Sequence, residues 1–412
     1  MSDPLRILWL KTGPLHPVDT GGKIRTFNML RELRKRHRVS YLSLLPALSP
    51  ESITREASAY SHDQLWVPWR ETPKFSWSFY AEVLNGVCFS SRPYIIDKYR
   101  STFMEAHISE ADERHKHDLI VCDFLTPAVN LPGLGAFVRT PVLLFEHNVE
   151  ALILKRHYET EQNFFKGVFY KGQWKRMQHF EKEACQSVTG VVAVSAPDVE
   201  LLRKDYGLTN VLGAVPTGVD IAHFKPENIA RKPHSIAFLG SMDWMPNVEG
   251  VAWFAADILP ALKDKYPDLT VTIIGRNPVS KVKELGRRHP FVHVTGTVDD
   301  VRPFLNASEV MIVPLRVGGG TRLKIFEALA TGIPCVSTRI GAEGLPVTHD
   351  QHILLADSPA EFVREISRLF ESRTLRETIG MNGRVLVERQ FSWESVATVF
   401  EQYCHETVAR KR

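Results

Sequence analysis

The stretch 310–338, VMIVPLRVGGGTRLKIFEALATGIPCVST, decides the fold. It opens on an apolar run, turns through three glycines, continues with helical spacing and ends on Gly-Ile-Pro before a second apolar run. Strand, turn, helix and strand follow from that order. Gly318, Gly319 and Gly320 let the backbone approach a ligand closely and adopt positive φ. Thr321 suits the N-cap of the following helix. A glycine turn feeding a helix N-terminus attracts anions, because unpaired N–H groups and the helix dipole both favour negative charge. Arg322 and Lys324 add full charges beside it, and Glu327 offers a carboxylate to sugar hydroxyls. The competing reading is a tight turn before a surface helix with solvated charges. Residue types alone leave both open.

The same alternation extends in both directions. Apolar runs at 6–11, 39–45, 64–69, 118–123, 141–147 and 188–195 predict strands, and 22–36, 94–114, 149–186 and 197–205 predict helices. It restarts with strands at 235–241, 269–275, 291–296, 310–315, 334–338 and 352–356. Helices are expected there at 247–264, 278–287, 298–306, 321–331 and 358–372. The strands are continuous apolar runs, as in parallel sheets covered on both faces. The break, PTGVDIAHFKPENIARKPHS, is rich in Pro, Gly and polar residues, as a linker is. The expected organisation is a first doubly wound domain over 1–215, a linker over 216–234, a second domain over 235–390 and a C-terminal helix over 391–412. That helix is expected to pack back on the first domain. Ligands of such sheets bind at the carboxyl ends of the strands, at the topological switch. With two sheets the expected site is a central cleft that both face.

The chain has 412 residues, a length suited to two domains. Its 44% hydrophobic and 24% charged content is that of an ordinary globular protein. No apolar run reaches the ~18 residues of a membrane span. The start, MSDPLRILWLKTG, reads as a buried strand without a basic leader, which predicts a cytoplasmic protein. Five scattered cysteines without CxxC spacing argue against a disulfide framework or a zinc knuckle. A net charge of +4 gives no argument for nucleic acid and suits an anionic small ligand.

GGGTRLKIFEALATGIPCVST followed by IGAEGL resembles the donor-site signature of retaining glycosyltransferases of the GT-B fold, family 4. VPTGVDIAHFKP (215–226), FLGSMDWMPNVEGVAWF (238–254), TGPLHPVDTGGKIRTFNML (12–30) and FEHNVEALILKR (145–156) resemble further segments of that family, in the expected order. The front end is similar to sugar transferases of bacterial exopolysaccharide clusters. The resemblance implies a GT-B fold of two Rossmann-like domains and transfer of a sugar from a nucleotide diphosphate sugar. The acceptor would be a saccharide or a lipid-linked saccharide, the anomeric configuration would be kept, and neither metal nor cofactor would be required.

Roles follow from the resemblance position by position. Glu327 matches the glutamate that holds the donor ribose. The family's first glutamate falls at Gly319, so sugar recognition is left to backbone at Gly319, Gly320 and Thr321 or to other residues. The family's cations after the first strand of the second domain are missing from GSMDWMPNVEG, and Arg322 and Lys324 are the candidates to replace them. Gly21 and Gly22 match the front loop near the diphosphate or the acceptor. His147 matches a histidine that contacts the donor sugar, and it ends a strand where ligands bind. Thr297 and Val298 match the positions that meet the base. Asp299–Asp300 is not a D-x-D metal motif and reads as the first turn of a helix.

Lys155 to Lys182 interleaves seven Lys/Arg and three Glu with Phe164, Phe165, Phe169, Tyr170, Trp174 and Phe180. That pattern fits peripheral association with the inner membrane face, against the plainer reading of a solvated face over a core face. Two alternatives to the transferase are an epimerase of the same fold and a non-catalytic sugar-nucleotide-binding protein, the latter motivated by Gly319.

Overall fold

The computed structural model describes residues 3–47, 49–70, 72, 76–77, 90–136, 138–161, 163–317 and 323–411. The chain forms two compact units, Met1–Pro216 with Val396–Arg412, and Thr217–Ser395.

The first unit is built on a parallel seven-stranded sheet in the order β3-β2-β1-β4-β5-β6-β7. Its strands are β1 (Arg6–Lys11), β2 (Arg38–Pro46), β3 (Asp63–Trp69), β4 (Leu119–Asp123), β5 (Val142–Phe145), β6 (Gly190–Ala193) and β7 (Val211–Ala214). β4 reads LIVCD and is buried at every position, as a central strand covered on both faces must be. Each fully buried Leu, Ile or Val there contributes ~1.5–3 kcal/mol of transfer free energy. The switch in strand order lies between β1 and β4.

The second unit repeats the plan with a parallel six-stranded sheet in the order β10-β9-β8-β11-β12-β13. Its strands are β8 (Ser235–Leu239), β9 (Thr270–Ile274), β10 (Val292–Gly296), β11 (Val310–Val313), β12 (Cys335–Ser337) and β13 (Leu354–Leu355). Its switch lies between β8 and β11. Residues from Thr217 onward pack with this unit: Ile221 and Phe224 rest on its core, and Val219 bridges to Ser392.

Two expected helices are broken by caps that their periodicity hides. The 94–114 pattern divides into Tyr94–Asp97 and Thr102–Glu113, where the Ser101 side chain accepts from Met104 N. The 149–186 pattern divides into Glu150–Thr160 and Phe164–Ser187, where Asn163 accepts from Lys166 N. In both, a cap satisfies the first N–H groups of a new helix. The 247–264 pattern runs through a π-turn at Phe254–Ile258, just before Pro260, which has no N–H to give. Asp299 and Asp300 precede the helix Arg302–Asn306 instead of forming its first turn, and Asp300 accepts from the Arg302 N–H and guanidinium.

Among the described elements, the pattern did not anticipate the last long helix before the C-terminal one or the seventh strand. The helix Arg373–Gln390, in a stretch to which no element was assigned, contains Gly380 and Gly383. In the fold they permit contact: a Cβ on Gly380 would lie 2.3 Å from Gly332 O, and one on Gly383 would lie 2.7 Å from Leu329 Cδ2. Strand β7 is short and carries Gly213, where a Cβ would meet the Tyr403 hydroxyl of the last helix.

That helix, Trp393–Lys411, packs its apolar side within the first unit from Val396 on. Phe400 is fully buried, its ring 5.6 Å from that of Trp9 and 5.0 Å from that of Phe145. Glu401 receives Arg36 at 3.0 Å and His37 Nε2 at 3.2 Å.

Among the described glycines the tightest backbone approach is in the second unit, where a Cβ on Gly275 would lie 1.7 Å from Gly240 O. Gly275→Ala is therefore expected to destabilise that unit by more than ~3 kcal/mol. Gly172→Ala, in a helix with nothing within 4 Å of the built Cβ, should stabilise by ~0.5–1 kcal/mol. Urea unfolding of both variants checks the pair.

Candidate functional site

In the first unit the carboxyl ends of the strands around the switch converge on one carboxylate. Asp123, the last residue of β4, is fully buried. Its Oδ2 accepts from Trp9 Nε1 at 3.0 Å, Lys11 Nζ at 2.7 Å and Thr26 Oγ1 at 2.6 Å. Its Oδ1 lies 2.7 Å from His147 Nε2. Burial alone would raise the Asp123 carboxyl, but Lys11 and His147 hold it well below the carboxylate range. Burial lowers the Lys11 ammonium, and Asp123 opposes that. Burial likewise pushes His147 down to about 3 against the pull of Asp123, so the imidazole is neutral. The proton on Nε2 then faces Asp123 and leaves Nδ1 a lone pair.

Phe124 follows with φ +76°, an unusual conformation for a bulky residue. It is fixed from several sides. Its N–H bonds Phe145 O, its ring stacks 3.7 Å from that of His147, and Lys11 Nζ lies 4.0 Å from the ring centroid. The same ring explains Gly22, since a Cβ there would sit 2.8 Å from Phe124 Cζ. Gly21 faces open space, and the helix Gly21–Leu33 begins there without a side-chain cap. His147, Phe124 and Gly22 thus form one stack.

In the second unit the elements meet at the other switch. Lys324 lies on the helix Leu323–Ala330, whose Ile325, Phe326, Ala328 and Leu329 are buried on the sheet. Its ammonium donates to Asn247 Oδ1 at 2.6 Å and lies 4.8 Å from the Phe238 ring centroid. Asn247 Nδ2 donates to Ser241 O at 2.8 Å. A Cβ on Gly240 would be 2.6 Å from Asn247 Nδ2 and 2.8 Å from Lys324 Nζ, so glycine is needed where the ammonium lies against the turn. The turn after β8, which carries no cation of its own, receives one from Lys324. Arg276, after β9, holds the same turn through Nε to Ser241 Oγ at 3.1 Å.

Glu327 lies one helical turn beyond Lys324, half-buried. Burial pushes its carboxyl up to about 7, with Lys324 drawing it down. Thr297 is exposed and Val298 rests on the core just after β10, which β9 separates from β8. Lys324, Glu327 and the β8 turn are therefore brought together, while Thr297 and Val298 lie two strands away at the same edge. Gly319, Gly320, Thr321 and Arg322 lie outside the described residues. The sequence reading missed Asp123, Lys11, Thr26, Phe124, Asn247, Gly240 and Arg276. The signal for Lys11 and Asp123 was a charge at the last position of an apolar strand.

One potential metal-ligating group is His37, Glu401 and His405. His37 Nδ1 accepts the Leu5 N–H at 3.1 Å, so the neutral ring carries its proton on Nε2 toward Glu401 and has no lone pair there for an ion.

Comparison with known proteins agrees with this geometry. Residues 233–372 match the family model described as glycosyl transferases group 1. An uncharacterized 44.6 kDa protein in the cps region of Klebsiella pneumoniae is 21% identical over 316 residues, 74% of this chain and 78% of its own. Among solved structures, the sucrose-phosphate synthase of Thermosynechococcus elongatus superposes with a TM-score of 0.66 at 16% identity, covering 99% of this chain and 100% of that one. Anabaena HepE, in complex with UDP and glucose, gives 0.63 at 14% identity, over 97% and 99% of the two chains. The fold is GT-B, with two Rossmann-like parallel-sheet units, and the group 1 glycosyltransferase match falls on the second of them.

The neutral buried His147 gives a pH test. Between pH 6.5 and about 3 the unfolded chain binds a proton at this residue that the folded protein refuses. Stability is present above that window and falls as pH is lowered through it, by ~2–3 kcal/mol at pH 4.5. His147→Gln keeps a donor for Asp123 and should flatten this acid limb in urea unfolding at pH 4.5–7. Parallel losses in variant and wild type would mean that His147 is already charged when folded.

Proposed function

We propose that the protein transfers a sugar from a nucleotide diphosphate sugar to a saccharide or lipid-linked acceptor, with retention of configuration. In this reading it acts in polysaccharide or glycoconjugate biosynthesis and needs no metal or other cofactor. Supporting it are the family match of its second unit and a relative in a cps region. A structural neighbour that binds UDP and glucose fits a nucleotide-sugar donor. The observation that carries it is the Lys324 ammonium seated on the Gly240 turn beside Glu327, at the switch between β8 and β11.

The chemistry follows from what that site offers. The bond between the anomeric carbon and the outer phosphate oxygen breaks, and its electron pair leaves with the diphosphate. The acceptor oxygen bonds the same face of the anomeric carbon, and its proton passes to the departing phosphate oxygen. Negative charge grows on the diphosphate, where a fixed ammonium and N–H groups stabilise it without reorganising. Lys324, with Arg322, takes the place of a metal in this reading. Glu327 accepts from the ribose hydroxyls, Thr297 and Val298 meet the base, and Gly319, Gly320 and Thr321 offer backbone amides. Gly21 and Gly22 line the diphosphate or acceptor side. His147 contacts the transferred sugar through its neutral ring.

Membrane contact would rest on fewer residues than the sequence pattern suggests. Tyr158 and Trp174 stack at 6.0 Å, with Lys171 and Lys155 over their rings, and Phe180 is buried. Phe164, Val168 and Phe169, 77%, 58% and 36% exposed, would be the apolar side chains to insert, beside Lys166. Among the described residues no helix is long and apolar enough to cross a membrane.

Lys324→Met should weaken a nucleoside diphosphate ~10- to 100-fold by calorimetric titration, the value of a hydrogen bond to a charged group. The monophosphate should change much less, and Glu327→Ala should weaken both. Equal affinities of Lys324→Met and wild type for the diphosphate would move the site elsewhere. Turnover surviving chelation, and product only with acceptor present, separate the transferase from an epimerase or a binding protein.

Flotation with anionic vesicles should show binding at low salt that fades as salt rises, because exposed charges are screened over ~8–10 Å. Phe164→Ser with Val168→Ser should abolish it. No binding at low salt would leave a solvated helix face.

A further inference from the structure

We propose that Arg25 is the fixed cation of an anion subsite in the first unit, where a phosphoryl group seats against its guanidinium and the first turn of the helix Gly21–Leu33. Arg25 is 3% exposed, yet its Nη2 is wholly buried with no hydrogen-bond partner among the described residues. Burying the two N–H groups of a guanidinium Nη2 unpaired is costly. No other described residue relieves it. Lys11 and Thr26 are both committed to Asp123. The Phe145 ring lies 6.0 Å from Arg25 Cζ and offers only its face.

Charge leads to the same place. Lys11 and Asp123 form a closed pair at 2.7 Å, and the His147 ring is neutral. Arg25 is then a buried positive charge in excess. The next carboxylate to act on it, Asp198, is engaged by the Ser195 hydroxyl at 2.5 Å and serves its own helix N-terminus. Burial pushes the guanidinium down to about 10, which leaves it charged at neutral pH. A buried cation left without a partner costs several kcal/mol, so its presence calls for a ligand that supplies the missing charge.

The surroundings select the ligand. Arg25 lies in the second turn of its helix, and helical side chains lean back toward the N-terminus. That end has an uncapped Thr20 and an open Gly21, so no side chain of the cap occupies its first N–H groups. A guanidinium fork beside helix N–H groups matches phosphoryl oxygens in both charge and geometry. The phosphoryl group could come from the donor diphosphate or from a phosphorylated acceptor. That choice of ligand rests on the glycosyltransferase reading; the subsite itself does not.

The test uses the full chain with Arg25→Met and Arg25→Lys, titrated with UDP, inorganic pyrophosphate and glycerol 3-phosphate. Arg25→Met should lose at least about tenfold in affinity for one of these probes, and Arg25→Lys should lose less. Ligand-free Arg25→Met should melt no lower than wild type and up to ~2–4 °C higher, because an unpaired buried charge has been removed. Loss of UDP and pyrophosphate identifies the donor diphosphate. Loss of glycerol 3-phosphate alone identifies an acceptor phosphate. If wild type ignores UDP while Arg25→Met still loses a phosphate probe, the donor reading fails and the subsite stands. If Lys324→Met loses UDP while Arg25→Met binds all three probes like wild type, the subsite fails and the donor reading stands. Wild type binding none of the probes, or Arg25→Met melting several degrees lower, also overturns the subsite and makes Arg25 a packing residue.

Discussion

One carboxylate holds the carboxyl edge of the first sheet together. Asp123 takes hydrogen bonds from Trp9 and Lys11 on β1 and from Thr26 on the helix after it, and pairs with His147 beyond β5. Those elements are distant in sequence, and apolar packing alone would let their ends slide. A buried charge does not allow that, because losing one partner costs ~3–5 kcal/mol. The network also explains the strained backbone at Phe124. With Asp123 locked in and Phe124 N–H on Phe145 O, the ring has room only between Gly22 and His147.

The second unit secures its corresponding edge with backbone instead of charge. Gly240 lies against Gly275 and against the Asn247 and Lys324 side chains, and Gly250 admits Pro314 O. The contacts of Lys324 include an amide oxygen and an aromatic face, and the Glu327 carboxyl one helical turn on also feels its charge. The contrast with Lys11 is physical. Lys11 is cancelled by Asp123, so its field largely ends inside the cluster. The Asn247 amide oxygen positions Lys324 without itself carrying a charge.

Sequence pattern reached far into this fold because parallel strands announce themselves as continuous apolar runs. β1 and β4 were legible for that reason, and Lys324 and Glu327 were visible as charges on a helix after a glycine turn. What stayed hidden depended on contacts between distant residues. Gly380 and Gly383 lie where the chain packs against Gly332 and Leu329, contacts that no local pattern encodes. Asn247 and Gly240 carried no signal until Lys324 was placed. Capping at Ser101 and Asn163 was present in the sequence, but longer helical periodicity obscured it.

The two switch points place these charges where they are. Where strand order reverses, the helices that follow neighbouring strands pass to opposite faces and leave a crevice at the carboxyl ends. β1 and β4 meet at one such crevice, and β8 and β11 at the other. A side chain that ends a strand there is too deep to reach bulk water easily and too close to backbone dipoles to be ignored. Polar groups at that depth must be paired within the chain or held ready for a ligand. Asp123 and Lys11 take the first course. Lys324 is held by an amide oxygen instead, and topology alone does not set the difference: it is made by whether the neighbouring turn offers a carboxylate or an amide.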